Sequence, residues 1–274
     1  MKRRTVVLVV FLMWWVDSSM VLAQKPTQQD SVVVVFGDTR TNHDVHRLVV
    51  KDIMKFHPVA VFHTGDLVFN GKKSSDWTLF HEIMKPIIDS SRFYPCFGNH
   101  ERHSKQMSVS YSVPNNGKWY SVNRMQMHFV VLDNYSNFSP GSEQYNWLVS
   151  DLEACSKQLF KLVVMHLPVY TSGPHKTMMK KIKKYLVPLF EKYGVSVVFS
   201  GHVHCYEKAF ANNIYYITTG GGGAPLYPKV NSVPQSQLYI RTYNFCTLQI
   251  KNNALQIQAL DTSMRVIDEV IIKK

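Results

Sequence analysis

The stretch 195-VSVVFSGHVHCYE-207 joins an apolar, β-branched run to a glycine and then to two histidines, His202 and His204. Such a run, bounded by turn residues, reads as a buried strand. Side chains two apart at a strand end point the same way, so both imidazoles face one spot just past the strand. Four other places repeat the plan. VVVVF leads into Gly37-Asp38-Thr39-Arg40, VAVFHT into Gly65-Asp66, FYPCF into Gly98-Asn99-His100-Glu101, and KLVVM into His166. In an open α/β sheet, polar groups at the carboxyl ends of several strands meet at the crevice where such folds bind ligands. Two aspartates, an asparagine and several histidines make a mixed oxygen and nitrogen set. That set suits Zn, Mn or Fe better than Ca or Mg.

Between and beyond these clusters the pattern alternates. Val45, Leu48, Val49, Ile53 and Met54 recur at helix spacing, and a second helix is expected over Ser75 to Asp89. Lys118 to Asn123 and Met125 to Leu132 read as sheet-edge strands. Helices are expected over Glu143 to Ala154 and, as one amphipathic piece, over Thr177 to Tyr193. Beyond Gly201 the runs Ile214 to Thr219, Leu238 to Ile250, Leu255 to Leu260 and Val266 to Ile272 are β-like, with no helix between them. Alternating β and α followed by a β meander predicts two packed sheets flanked by helices. No repeat or linker divides residues 24–274, which read as one domain.

Residues 1–23 read as a secretory signal peptide. Lys2, Arg3 and Arg4 precede an apolar run from Thr5 to Val16, and Val21-Leu22-Ala23 offers a cleavage site after Ala23. The run is shorter than the roughly 20 apolar residues a membrane-spanning helix needs, so no stable membrane insertion is expected after cleavage. The protein is therefore expected to be exported, periplasmic or secreted. The chain carries 31 basic and 19 acidic residues, a net charge of +12 with histidine neutral. Such a charge favours acidic partners, phosphorylated substrates among them. The basic runs lack the interleaved aromatics of a single-strand groove, and no specific nucleic acid is expected. Cys96, Cys155, Cys205 and Cys246 show no CxxC spacing. Export permits disulfides, but free, mostly buried thiols are the favoured reading. Asn134-Tyr-Ser136 and Asn137-Phe-Ser139 are glycosylation sequons only in a eukaryotic host.

The order Asp38, Asp66, Asn99-His100, His166, His202-x-His204 resembles that of the calcineurin-like metallophosphoesterases, and most of all their purple acid phosphatase branch. Gly201-His-Val-His-Cys-Tyr-Glu207 is similar to the family's GHVHAYER, and His166-Leu-Pro-Val-Tyr170 to its H-x-P-x-Y. The resemblance spans Val32 to the C-terminus. It implies an α/β fold, a four-layer α/β/β/α sandwich of two mixed sheets flanked by helices. It also implies two divalent or trivalent metal ions, Zn, Mn or Fe, that together activate a water as nucleophile. Asp66 would bridge them, Asn99, His166 and His202 would hold one, and Asp38 and His204 the other. His100 would act beside the leaving group as acid or electrostatic stabiliser, while Glu101 would orient the loop. His175 is a candidate substrate contact.

Two departures stand out. Most of the family has Asp-x-His where this chain has Asp38-Thr39-Arg40, and the purple branch has Gly-Asp-x-x-Tyr where this chain has Phe69. The Asp38/His204 metal is one protein ligand short by either pattern. His43 and His46 are possible substitutes, although exposed helix-face histidines are the plainer reading. Arg40 offers a fork of donors to a substrate phosphate. The expected activity is hydrolysis of a phosphomonoester on a small molecule. A phosphodiesterase or pyrophosphohydrolase on the same site, or a metal-depleted phosphate-binding protein, are the alternatives.

Overall fold

The computed structural model describes residues 31–102, 104, 111, 113–155 and 160–273. The signal peptide read at 1–23 lies outside the described residues. Strands β1 (Val33–Phe36), β2 (Ala60–His63) and β3 (Arg92–Pro95) run parallel, alternating with helices α1 (His43–Met54) and α2 (Ser74–Ser90). The chain then enters a second sheet with β4 (Tyr120–Arg124) and β5 (Met127–Val131), an antiparallel hairpin. Helix α3 (Glu143–Ala154), β6 (Phe160–Val164), α4 (Met179–Tyr185), α5 (Val187–Lys192) and β7 (Val197–Ser200) continue the alternation. The remainder is all β: β8 (Tyr206–Ala211), β9 (Ile214–Thr219), β10 (Ser236–Ile240), β11 (Asn244–Lys251), β12 (Ala254–Asp261) and β13 (Val266–Lys273).

These strands make two mixed sheets, a six-stranded one ordered β13-β12-β11-β1-β2-β3 and a seven-stranded one ordered β10-β8-β9-β7-β6-β5-β4. Period-two alternation explains the layering. Val33 and Val35 of β1, Phe62 of β2, Leu162 and Val164 of β6, and Val197 and Phe199 of β7 share the core between the sheets. Their neighbours Val34, Phe36 and Val61 face α1 and α2. Val163 and Val198 face α3 to α5. The expected α/β/β/α sandwich is therefore the observed one. Its sheets touch through rings as well as aliphatics, with Phe62 stacked on Phe129 at 4.0 Å between centroids.

Three expectations need correction. The helix read over Thr177 to Tyr193 is broken into α4 and α5 at Leu186. Pro188, in the first turn of α5, has no N–H to continue the ladder. The run Leu238 to Ile250 is two strands in different sheets, β10 beside β8 and β11 beside β1 and β12. The chain crosses between sheets at residues 241–243. Finally, only β4 is an edge; β5 is a fully buried internal strand between β4 and β6.

Candidate metal centre

The site forms where β1, β2 and β3 of one sheet and β6 and β7 of the other end on the same side. Asp38, Asp66 and His202 all sit in the left-handed backbone region, with φ of 58°, 56° and 66°. For residues other than glycine this conformation costs about 1–3 kcal/mol each and clusters at functional sites. Here it turns each side chain sideways off its strand end into a common cleft. Two glycines let the strand ends approach. A Cβ on Gly98 would lie 2.2 Å from Asp66 Oδ1, and one on Gly201 would lie 2.2 Å from Asp38 Oδ2.

Four donor atoms converge in one half of the cleft. His166 is fully buried, and its Nδ1 donates to the Thr64 carbonyl at 2.8 Å. That bond leaves Nε2 as a bare lone pair in the neutral ring. Nε2 faces Asn99 Oδ1 at 3.1 Å, His202 Nδ1 at 3.2 Å and Asp66 Oδ1 at 3.5 Å. The Asn99 and Asp66 oxygens are acceptors like it and repel it unless a cation lies among them, whereas His202 Nδ1 donates or accepts according to its tautomer. An ion with bonds near 2.1 Å separates its ligand atoms by about 3.0–3.4 Å, octahedral to tetrahedral. The spacings from Nε2 to its three neighbours match, so His166 with Asn99, His202 and Asp66 makes a donor set that a metal ion would draw together. The environment opposes a proton as the alternative cation: burial, and then the neighbouring His166, push His202 down to about 3. Burial pushes Asp66 up, yet His166, His100, the His100 amide and Arg40 together hold its carboxyl below the usual range.

The other half is different. Asp38, Asp66 and His204 place ligand atoms within 4.8 Å of one another. His204 Nδ1 donates to the Pro225 carbonyl at 2.7 Å, which leaves Nε2 facing Asp38 Oδ1 at 3.5 Å. The guanidinium of Arg40 is already there. Its Nε donates to Asp66 Oδ2 at 3.3 Å, and its Nη2 lies 3.4 Å from His204 Nε2. Arg40 thus lies against the metal-philic residues themselves. His43 is exposed at the start of α1, and His46 is buried with its ring 5.8 Å from Phe80. Neither joins the Asp38, Asp66 and His204 group. The exposed reading of His46 is corrected, because Phe80 of α2 covers that face of α1.

His100 stands at the rim. Its Nδ1 donates to the Phe69 carbonyl at 2.5 Å, its backbone N–H donates to Asp66 Oδ1, and Nε2 lies 3.7 Å from Asp66 Oδ2. The Phe69 side chain is 59% exposed, with its ring beside His100. His175 lies exposed across the cleft, its ring 5.3 Å from His202 and 4.8 Å from Tyr227. Burial, His204 and Arg40 lower its pKa.

Residues behind the ligand candidates do the holding. Glu101, as expected, organises the loops: its carboxylate accepts from the backbone of Asp66, Val68 and Gly98, each at 3.0 Å. Sequence reasoning missed five others. Glu207 accepts from Thr171 Oγ1 and Ser172 N and fixes the loop after His166. Asn134 accepts from Leu167 N at 2.7 Å, which buries the first sequon asparagine completely. Tyr135 donates to Asn99 Oδ1, Tyr227 stacks on His204 at 4.3 Å, and His63 bonds Thr39 Oγ1 behind the Asp38 loop. Only Glu207 carried a sequence signal, its place in Gly201 to Glu207. All four cysteines are free thiols. A second His/Asp/Cys group, His128 with Asp151 and Cys155, is a hydrogen-bonded line. Its two ring nitrogens face opposite partners, Asp151 at Nε2 and Cys155 and Asn123 at Nδ1.

The family model for calcineurin-like phosphoesterases matches residues 31–206, well over half of the chain, and the chain belongs to that family. It is similar to purple acid phosphatase 18 of Arabidopsis thaliana, 28% identical over 58% of this chain and 42% of that one. Probable purple acid phosphatase 20 of the same plant is 29% identical over 69% of this chain and 51% of its own length. The chain thus spans about half the length of these curated relatives. Among solved structures, purple acid phosphatase PPD1 of yellow lupin superposes with a TM-score of 0.78 at 21% identity, covering 89% of this chain and 53% of that one. That likeness is one of fold.

Proposed function

We propose that the chain is an exported, metal-dependent phosphoesterase that hydrolyses phosphomonoesters of small molecules with water. The observation that carries this reading is the convergence of Asp66 Oδ1, Asn99 Oδ1, His166 Nε2 and His202 Nδ1 at 3.1–3.5 Å around His166. Asp66, Asn99, His166 and His202 would hold one ion. Asp38, Asp66 and His204 have the spacing for a second, which Arg40 opposes by charge. A bound ion supplies a Lewis acid for a phosphoryl oxygen and acidifies water into a nucleophile near neutral pH.

The chain's own residues do the rest. The Phe69 carbonyl fixes His100 with its proton on Nδ1, so Nε2 is the atom that takes up and delivers a proton in the cleft. Protonated there, it donates to the oxygen of the departing alcohol. Arg40 meets the phosphoryl oxygens with a permanent charge and a planar fork of donors. His175 and Tyr227 wall the opposite side, where the substrate enters. The excess of basic over acidic residues draws in a doubly negative monoester.

Residues 1–23 support export, and no helix among the described residues is long and apolar enough to cross a membrane. The deciding measurement is metal content by elemental analysis, alongside turnover of p-nitrophenyl phosphate and its bis-ester. A metalloprotein faster on the monoester is expected. A protein with no bound metal and no turnover of either ester overturns the reading in favour of a phosphate-binding protein. Amino-terminal sequencing of protein from its native host is expected to begin at Gln24, and a retained Met1 would rule out cleavage.

A further inference from the structure

We propose that this chain holds one metal ion rather than two, and that the guanidinium of Arg40 is a built-in cation in the place of the second. The inference rests on the metal-dependent reading above and concerns only how the two halves of the cleft are filled. Asp66 is the shared residue. Its Oδ1 faces His166 and its Oδ2 faces Arg40 Nε at 3.3 Å. A carboxylate that would bridge two ions therefore has a lone-pair cluster on one side and a fixed positive charge on the other.

His204 repeats the argument. With Nδ1–H committed to Pro225, its Nε2 is an acceptor, and the Arg40 Nη2 donor lies 3.4 Å from it. The same guanidinium thus engages one atom from each sheet, Asp66 Oδ2 and His204 Nε2, the atoms a second ion would need. The Arg40 side chain is only 13% exposed. Tyr227, stacked 4.3 Å from the His204 ring, walls that imidazole on one face. Asp38 is engaged elsewhere as well, both of its oxygens accepting from the His202 backbone N–H at 3.0 Å. A divalent ion between Asp38, Asp66 and His204 would lie within a few ångströms of a group that does not lose its proton, and the two would repel. The first half has no such obstacle. Arginine here pairs with Asp66 whether or not metal is scarce, and it presents phosphate with a charge that chelators do not remove.

The test is stoichiometry, with Mn²⁺ as the probe. Metal-stripped protein is reloaded and dialysed, bound Mn²⁺ is counted by elemental analysis, and its electron paramagnetic resonance spectrum is recorded. The wild type is expected to keep one equivalent and give the six-line signal of an isolated ion. Arg40→His, which removes the permanent charge and supplies an imidazole, is expected to take two and give the multiline signal of a coupled pair. Arg40→Met, an uncharged side chain that leaves the ligands untouched, is expected to gain a second, weaker equivalent, and thermal melts report that both variants fold. Two equivalents in the wild type overturn the proposal, as does a single equivalent in both variants. No bound metal in any of the three proteins overturns the phosphoesterase reading itself, and this inference with it.

Discussion

Single side chains divide the site into groups that act and groups that hold. His100 touches the cleft through Nε2 alone, since its other ring nitrogen and its backbone N–H are committed to Phe69 and Asp66. His100→Ala is expected to lower monoester turnover by about 100- to 10,000-fold, the usual reach of a general acid. Its metal content should stay at the wild-type value, and loss of metal would place His100 among the ligands. His63 is a holding group. Gly65 N donates to its Nδ1 at 3.2 Å, so the ring proton is on Nε2 and goes to Thr39 Oγ1, which in turn donates to the Leu67 carbonyl. Burial pushes His63 down to about 3. The unfolded chain titrates near pH 6.5, so between these values it takes a proton that the folded chain refuses. Stability is therefore full above pH 6.5 and falls as the pH drops toward 3, by up to about 1.4 kcal/mol per pH unit from this residue. Urea melts between pH 7 and 4.5 are expected to lose part of that slope in His63→Gln. An unchanged slope would mean that His63 is not a neutral, buried group. The ligand candidates were legible because each follows an apolar run. His63, Tyr135 and Tyr227 were not, because their roles depend on partners brought near only by folding.

Among the elements, the hairpins show what local sequence specifies. Asn212-Asn213 joins β8 to β9 with φ of 51° and 62°, and Asn252-Asn253 joins β11 to β12 with φ of 50° and 60°. Two successive residues at positive φ in a two-residue loop make a type I′ turn, whose best sequence is Asn-Gly. Asparagine tolerates the left-handed region and glycine enters it without a steric penalty. Asn213→Gly and Asn253→Gly are each expected to stabilise the protein by about 0.5 kcal/mol, read as a rise in the thermal midpoint with activity unchanged. A fall would mean that the asparagine side chains make contacts worth more than the backbone strain. Ile214 to Thr219 was read from the sequence with the bounds the strand has, because the turn before it and the glycines after it are local signals. The break at residues 241–243 was not legible. Leu238 to Ile250 is β-like throughout, and what separates β10 from β11 is that their pairing partners belong to different sheets.

At the scale of the molecule, the cleft lies across the boundary between the two sheets. Asp38, Asp66 and Asn99 follow β1, β2 and β3 of the six-stranded sheet, whereas His166, His202 and His204 follow β6 and β7 of the seven-stranded one. The order of the clusters, read with the family resemblance, was enough to anticipate the sandwich. It did not reveal that the Arg40 guanidinium lies against Asp66 Oδ2. The apolar core holds the sheets along their length through contacts such as Phe62 on Phe129, but it ends short of the cleft. There the two sheets meet through polar groups, His166 facing Asn99 and Asp66 on one side and Arg40 against His204 on the other. A metal held by Asp66, Asn99, His166 and His202, as proposed above, would therefore tie one sheet to the other. Binding to the folded state alone stabilises by RT ln(1 + [L]/Kd), about 4 kcal/mol when free metal is a thousandfold above Kd. Removing it with a chelator is expected to lower the thermal midpoint by several degrees, in proportion to the logarithm of the metal concentration before chelation. Asn99→Ala and His166→Ala, which cut the tie from opposite sheets, should each abolish that metal dependence. The Arg40–His204 contact does not involve the ion and should survive chelation, so the metal-free protein is expected to keep a single cooperative transition. Two separate transitions after chelation would show that the metal, and not the shared core, makes the two sheets one folding unit.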